Sequence, residues 1–133
     1  MKTPAKIELT STQNGERVVI KSDGEVYFEN ETAYVEFDGE AGVRTCIGIC
    51  PDLVSLSRIG DGDYTMILEE GKANSFDLNT PFGTLKLSAN AKKVKSRISD
   101  GSIRLMLVYD INTLPMKVQE TTVKLKCDFL PQG

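Results

Sequence analysis

The sequence predicts a single all-β domain, an antiparallel up-and-down β-barrel of about eight to ten strands. Apolar and polar residues alternate with a period of two along most of the chain, and no long segment has the 3.6-residue period of an amphipathic helix. Turn-forming pairs recur about every ten residues, a spacing typical of barrels and sandwiches. Because no linker, repeat or low-complexity segment divides the 133 residues, we expect residues 1–133 to form one domain.

Four segments show the alternation most clearly and are predicted strands: residues 43–49, 84–89, 103–112 and 121–129. In the third of them, Leu105, Leu107 and Tyr109 share a face that we expect to point into the core. Weaker alternation predicts further strand segments. They are residues 6–12, 17–22, 25–29, 33–38, 53–59, 64–69, 74–79 and 92–99.

The predicted turns are pairs of Asn or Asp with Gly: Asn14-Gly15, Asp23-Gly24, Asp38-Gly39 and Asp100-Gly101. Such pairs adopt positive φ readily, as tight hairpin turns require. Short connections between successive strands favour an up-and-down meander, and closing a meander into a barrel removes its unpaired edges. We therefore favour a closed or nearly closed barrel over a sandwich.

The composition narrows the function mainly by exclusion. The chain has no histidine and a formal net charge of −3. The missing histidine excludes Ser-His-Asp and Cys-His nucleophile systems and every His-ligated metal or haem. The negative charge argues against nucleic acid as the partner of the chain as a whole. Since no segment is apolar enough for a signal peptide or a membrane span, we expect a cytoplasmic protein without a membrane partner.

The three cysteines, Cys46, Cys50 and Cys127, are predicted to be buried free thiols. Their odd number and the lack of a C-x-x-C pair argue against a disulfide framework and against a metal site. If Cys46 and Cys50 lie in one strand, their Cα atoms are about 13 Å apart, beyond the limit of about 7 Å for a disulfide. We therefore expect no Cys46–Cys50 bridge, no metal and no cofactor.

Several short motifs resemble the YwiB-like family of uncharacterised bacterial proteins. They are Ser57-Arg58-Ile59-Gly60, Tyr64–Glu69, Thr80-Pro81-Phe82-Gly83 and Val108-Tyr109-Asp110, with Tyr34-Val35-Glu36 upstream. The resemblance extends from about Val18 to Lys126. It implies a calycin-like β-barrel, in agreement with the predicted strands, and it implies no activity.

Arg58 is the most informative candidate residue. It shares the more apolar face of its strand, so it carries a cation inward if that face lines the interior. A buried guanidinium must be paired, and Glu36, Asp77 or a bound carboxylate could pair it. The interpretation that we favour is that Arg58, near the strand end beside Gly60, reaches solvent.

These observations lead to three functional hypotheses. The first is a non-enzymatic barrel, either structural or binding an apolar ligand with an anionic group, which would contact Arg58, Leu105, Leu107 and Tyr109. The second is an RNA- or DNA-associated module that uses the basic segment Lys92–Arg104. Its cations Lys93, Lys95, Arg97 and Arg104 are expected to share one face. Because aromatic side chains for base stacking are missing from these strands, we favour the alternative of a solvated face that resists aggregation. The third is an enzyme using Glu36 or Asp77 with a perturbed pKa. The sequence predicts no oligomeric state.

Overall fold

The structure, a computed structural model, describes residues 2–39, 42–60, 63–112 and 119–130, with the side chain of Gln119 excepted. Within these ranges the chain forms strands and no α-helix, and no helix there is suited to crossing a membrane. The strands are β1 (Thr3–Gln13), β2 (Glu16–Glu29), β3 (Thr32–Asp38), β4 (Arg44–Ile49), β5 (Leu53–Ile59), β6 (Tyr64–Glu69), β7 (Ala73–Thr80), β8 (Gly83–Ser99), β9 (Ser102–Asn112) and β10 (Gln119–Phe129).

All ten strands belong to one antiparallel sheet with the order β6-β5-β4-β3-β2-β1-β10-β9-β8-β7. The two edge strands meet and bring the sheet close to closure. Asn74 Nδ2 donates a hydrogen bond to Ile67 O at 3.2 Å, and Asn79 N donates one to Asp63 O at 3.0 Å. The predicted up-and-down antiparallel barrel is therefore confirmed.

The core fills the inside of this barrel with alternate residues from every strand. The face of β9 that was expected to point inward does so, since Ile103, Leu105, Leu107 and Tyr109 are at most 5% exposed. Burying one such side chain contributes about 1.5–3 kcal/mol. The core, rather than any disulfide or metal, is the main source of stability that the described residues provide.

The glycine pairs behave in two different ways. Asn14-Gly15 forms the predicted β1–β2 turn, with φ of 52° and 79°. The turn predicted at Asp23-Gly24 is wrong, because Gly24 lies inside β2 and pairs with strands on both sides. The chain reverses later, at Asn30 and Glu31, whose φ angles are 50° and 63°. The two predicted strands 17–22 and 25–29 are thus one long strand.

The separately predicted strands 84–89 and 92–99 also form one long strand, β8, and this strand contains a β-bulge. The register shifts between Ala91 and Lys93. Before the bulge, Ala89 and Ala91 point inward, and after it the inward residue is Val94. Because the extra residue changes the alternation, Lys93 and the residues two and four positions beyond it point outward.

All three cysteines are free thiols, so the expected absence of a Cys46–Cys50 bridge agrees with the structure. Only Cys127 is buried, whereas the other two are half-buried, which corrects the prediction that all three are interior. Cys50 lies just after the end of β4 and not within the strand. Its Sγ lies 3.3 Å from Thr32 Oγ1.

Candidate functional site

One end of the barrel carries several polar side chains that have the inward orientation of their strands. Successive strands alternate in direction, so the β1–β2, β5–β6 and β7–β8 connections all lie at this end. We call it the Arg58 end, after the arginine near the end of β5.

Three polar side chains form a row on the inner side of the Arg58 end. Thr45 on β4 is directly opposite Arg58, and Arg58 is directly opposite Tyr64 on β6. Directly opposed side chains of neighbouring strands lie close enough to interact. Thr45 is 6% exposed and Tyr64 packs against the core, whereas Arg58 is exposed. The row therefore places a hydroxyl, a guanidinium and a phenol between the core and solvent.

Tyr109 on β9 faces this row from another part of the barrel wall. Burial raises the pKa of Tyr109 far above its ordinary value, the nearby Tyr64 raises it further, and the positive charge of Arg58 lowers it. The rings of Tyr64 and Phe76 lie 5.8 Å apart, centroid to centroid, in a tilted arrangement. Arg58 and Tyr109, which the sequence proposed as parts of one site, are therefore within electrostatic reach of each other.

A buried hydroxyl lies beside Tyr109. Thr121 on β10 is the direct cross-strand partner of Tyr109 and is 6% exposed. Among the residues that the structure describes, its Oγ1 has no hydrogen-bond partner. Leaving a buried polar group unsatisfied costs about 1–3 kcal/mol. This hydroxyl is thus a group that a bound polar molecule would satisfy.

Three exposed apolar side chains also lie at the Arg58 end. Val18 of β2 and Leu85 of β8 have the inward orientation of their strands and are nevertheless 55% and 54% exposed. Phe82, in the β7–β8 turn, is 99% exposed. The β1–β2 and β7–β8 hairpins therefore extend beyond the packed core and present apolar surface at the Arg58 end. Exposed apolar surface next to polar groups is typical of binding sites.

The structure decides both expectations about Arg58. It lies near the strand end and is exposed, so the favoured interpretation that it reaches solvent is confirmed. The predicted pairing with Glu36 or Asp77 is wrong, because both carboxylates lie on the outer side of their strands. Glu36 pairs with Lys2 and Arg44, and Asp77 pairs with Lys86. Within the described residues, Arg58 takes part in no ion pair.

Leu105 and Leu107 lie deeper than the Arg58 end. They are 4% and 0% exposed and belong to the central core. Leu105 precedes Tyr109 by four residues on one strand, which corresponds to about 13 Å. Their predicted contact with a ligand is not tested by this position and stays a prediction.

The pKa of Glu36, the candidate for carboxylate chemistry, is shifted in the opposite direction from that of a general acid. Partial burial tends to raise its pKa, but hydrogen bonds and charges from Lys2 and Arg44 outweigh burial and hold the pKa below its ordinary value. A general acid at neutral pH needs a raised pKa. The site around Glu36 therefore favours a structural carboxylate that is ionised at neutral pH.

The second candidate site is the outer face of β8, β9 and β10. Arg97 is directly opposite Arg104, and Arg104 is directly opposite Lys126. In the adjacent row, Lys95 and Lys124 flank Met106. We call the surface formed by Lys93, Lys95, Arg97, Arg104, Lys124 and Lys126 the basic face.

A groove of about 290 Å³ runs over the basic face, with Lys95, Arg97, Arg104, Lys124 and Lys126 among its lining residues. The four cations predicted from the sequence thus lie on one surface. The two lysines of β10 were missed, because only the β9–β10 pairing brings them there. Likewise Thr45, Tyr64 and Thr121 were missed, because cross-strand register rather than local pattern places them at the Arg58 end.

Comparison with known proteins agrees with the predicted YwiB-like resemblance. The crystal structure of the ywiB protein from Bacillus subtilis matches with a TM-score of 0.83 and 18% sequence identity, covering 98% of this chain and 94% of that chain. At this identity the likeness shows the fold alone. No curated protein matches the chain. The model of the family described as "Domain of unknown function (DUF1934)" matches residues 5–125. Because this match covers most of the chain, the protein belongs to the DUF1934 family.

Proposed function

We propose that this protein binds a small amphipathic anion at the Arg58 end of the barrel, as a binding protein rather than an enzyme. The observation that carries the proposal is the position of Arg58 on the inner face of the barrel wall, opposite Thr45 and Tyr64 and within electrostatic reach of Tyr109. No described carboxylate neutralises the guanidinium. A carboxylate or sulfonate on a ligand would do so in a charge-assisted hydrogen bond.

The surroundings of Arg58 suit the rest of such a ligand. Leu85, Val18 and Phe82 offer apolar surface at the rim, where a hydrocarbon portion would lose contact with water. Farther in, the unsatisfied hydroxyl of Thr121 offers a hydrogen bond to a polar atom. The ligand class is therefore a small molecule with one anionic group and an apolar body.

Isothermal titration calorimetry with decanoate and with decanol tests this proposal. The two probes have the same hydrocarbon chain, but only decanoate is charged at neutral pH. A hydrogen bond to a charged group contributes about 1.5–3 kcal/mol, so Arg58→Met should weaken decanoate binding roughly ten- to a hundredfold. Decanol binding should be unchanged, because Met preserves apolar contact.

Arg97→Met is the matched control. It removes an exposed arginine from the basic face, so decanoate affinity should equal that of the wild type. Circular dichroism and urea unfolding verify that both variants retain the fold. The proposal is wrong if the wild type binds neither probe, or if both arginine variants lose decanoate affinity equally.

A further inference from the structure

We propose that the basic face binds the sugar–phosphate backbone of double-helical nucleic acid. This surface lies on the outside of β8, β9 and β10, whereas the proposed ligand site lies inside the Arg58 end. The inference is therefore independent of the proposed function. It rests on how the cations are arranged, how few of them are neutralised, and what else the face contains.

The arrangement brings like charges together. Arg97, Arg104 and Lys126 occupy directly opposed positions on three neighbouring strands. Adjacent strands lie about 4.8 Å apart, and like charges directly opposite one another destabilise a sheet. The row ends at Glu8 of β1, which is directly opposite Lys126, so the like-charge repulsion lies at the Arg97–Arg104 and Arg104–Lys126 pairs. An anionic partner gives the arrangement a physical reason.

Neutralisation of the basic face by the chain itself is partial. Arg104 pairs with Asp128 at 2.9 Å, and Lys95 pairs with Glu70 at 3.2 Å. Both pairs are solvent-exposed, so each contributes little to stability. Within the described residues no ion pair involves Arg97, Lys124 or Lys126. Arg97 and Lys124 therefore remain available to a partner, whereas Lys126 is directly opposite Glu8 of β1.

The bulge in β8 is what makes this face basic. Upstream of it, the odd-numbered residues Ala89 and Ala91 point inward. Uninterrupted alternation would have carried Lys93, Lys95 and Arg97 inward as well. The shift at the bulge turns them outward and aligns Arg97 with Arg104 of β9. Bulges that re-aim side chains are typical of functional surfaces.

The other residues of the face favour a duplex backbone over other polyanions. The outward-facing positions of β8, β9 and β10 carry no aromatic residue, whereas single-strand binders stack bases on aromatic side chains. They also carry none of the large apolar residues that are exposed in the described structure, so insertion into a membrane is not supported. Contacts to duplex phosphates need only cations and polar groups.

Fluorescence anisotropy tests the proposal with labelled DNA and RNA duplexes of about 20 base pairs, long enough for more than one helical turn. Both duplexes present phosphates, and the comparison shows which source is preferred. Affinity should fall steeply with salt, with a log–log slope of about −0.9 for each phosphate contacted. The double variant Arg97→Gln/Lys124→Gln should bind more weakly, with a slope shallower by about two.

The double variant Lys72→Gln/Lys86→Gln is the matched control. It removes the same charge from exposed positions elsewhere, where each lysine forms a surface ion pair. Duplex affinity and salt slope should match those of the wild type. Arg58→Met should also leave duplex binding unchanged, which separates this proposal from the ligand site.

Several results would overturn the proposal. One is the absence of duplex binding by the wild type at about 50 mM salt, where phosphate contacts are strong. Another is an equal loss in the two double variants, which would indicate a net-charge effect only. Tighter binding to single strands, to phosphatidylserine vesicles or to polyglutamate than to either duplex would assign the face to a different partner.

Discussion

Replacing Gly24 by alanine should destabilise the protein by about 3 kcal/mol, the upper end of the range for overpacking. Gly24 lies inside β2, with Ala5 on one side and Phe37 on the other. A Cβ at this position would collide with the backbone oxygen of Glu36 and lie 2.6 Å from Ile7 Cδ1. The isoleucine methyl group can rotate away, but the carbonyl can move only if β3 moves. The expected loss of stability therefore comes from steric overlap, and not from a backbone conformation that only glycine adopts.

Urea unfolding measures this cost. With a denaturant dependence of about 2 kcal/mol per molar urea, the midpoint should fall by about 1.5 M. Gly101→Ala is the control, because a Cβ there meets no atom within 4 Å. If the free energy of unfolding of Gly24→Ala lies within about 0.5 kcal/mol of that of the wild type, the inference that β2 and β3 approach closely at Gly24 is wrong.

Three further outcomes are expected. Leu107→Ala, at a fully buried core position, should lower the free energy of unfolding by about 2–5 kcal/mol in urea. Burial raises the pKa of Cys127 from 9.0 to about 11. The free energy of unfolding should therefore fall as pH rises between these two values, and this fall should be smaller in Cys127→Ala. Lys2 and Arg44 lower the pKa of Glu36 despite its burial, so stability should fall as pH drops below 4.5, and Glu36→Gln should remove part of that fall in acid unfolding curves.

The barrel could be predicted because its signals are local. Period-two alternation and the Asn14-Gly15 turn depend only on neighbours in the sequence, and both recur in the structure. The Asp23-Gly24 pair has the same local signature as a turn, yet its glycine serves a close approach between strands. The bulge between Ala91 and Lys93 could not be predicted either, because no neighbouring residue indicates a change of register.

The candidate sites were predictable in part for the same reason. Alternation within one strand predicted which side Arg58 and Tyr109 occupy, and the structure places them within electrostatic reach. It did not predict Tyr64 or Thr121, since each joins the site through its cross-strand partner. The predicted pairing of Arg58 with Glu36 was wrong because Glu36 points outward from its strand, toward Lys2 and Arg44.

The alternation of strands also explains how one small barrel can carry two independent surfaces. Along β9, Tyr109 points to the interior while Arg104 points to solvent. Whether a residue affects the proposed anion site or the basic face therefore depends on its position in the alternation along its strand. Within the described strands, this alternation shifts at the β8 bulge. If both proposals hold, Arg58→Met and Arg97→Gln must affect different ligands. A single substitution that weakened both decanoate and duplex binding while the fold remained intact would show that the wall of the barrel couples the two surfaces.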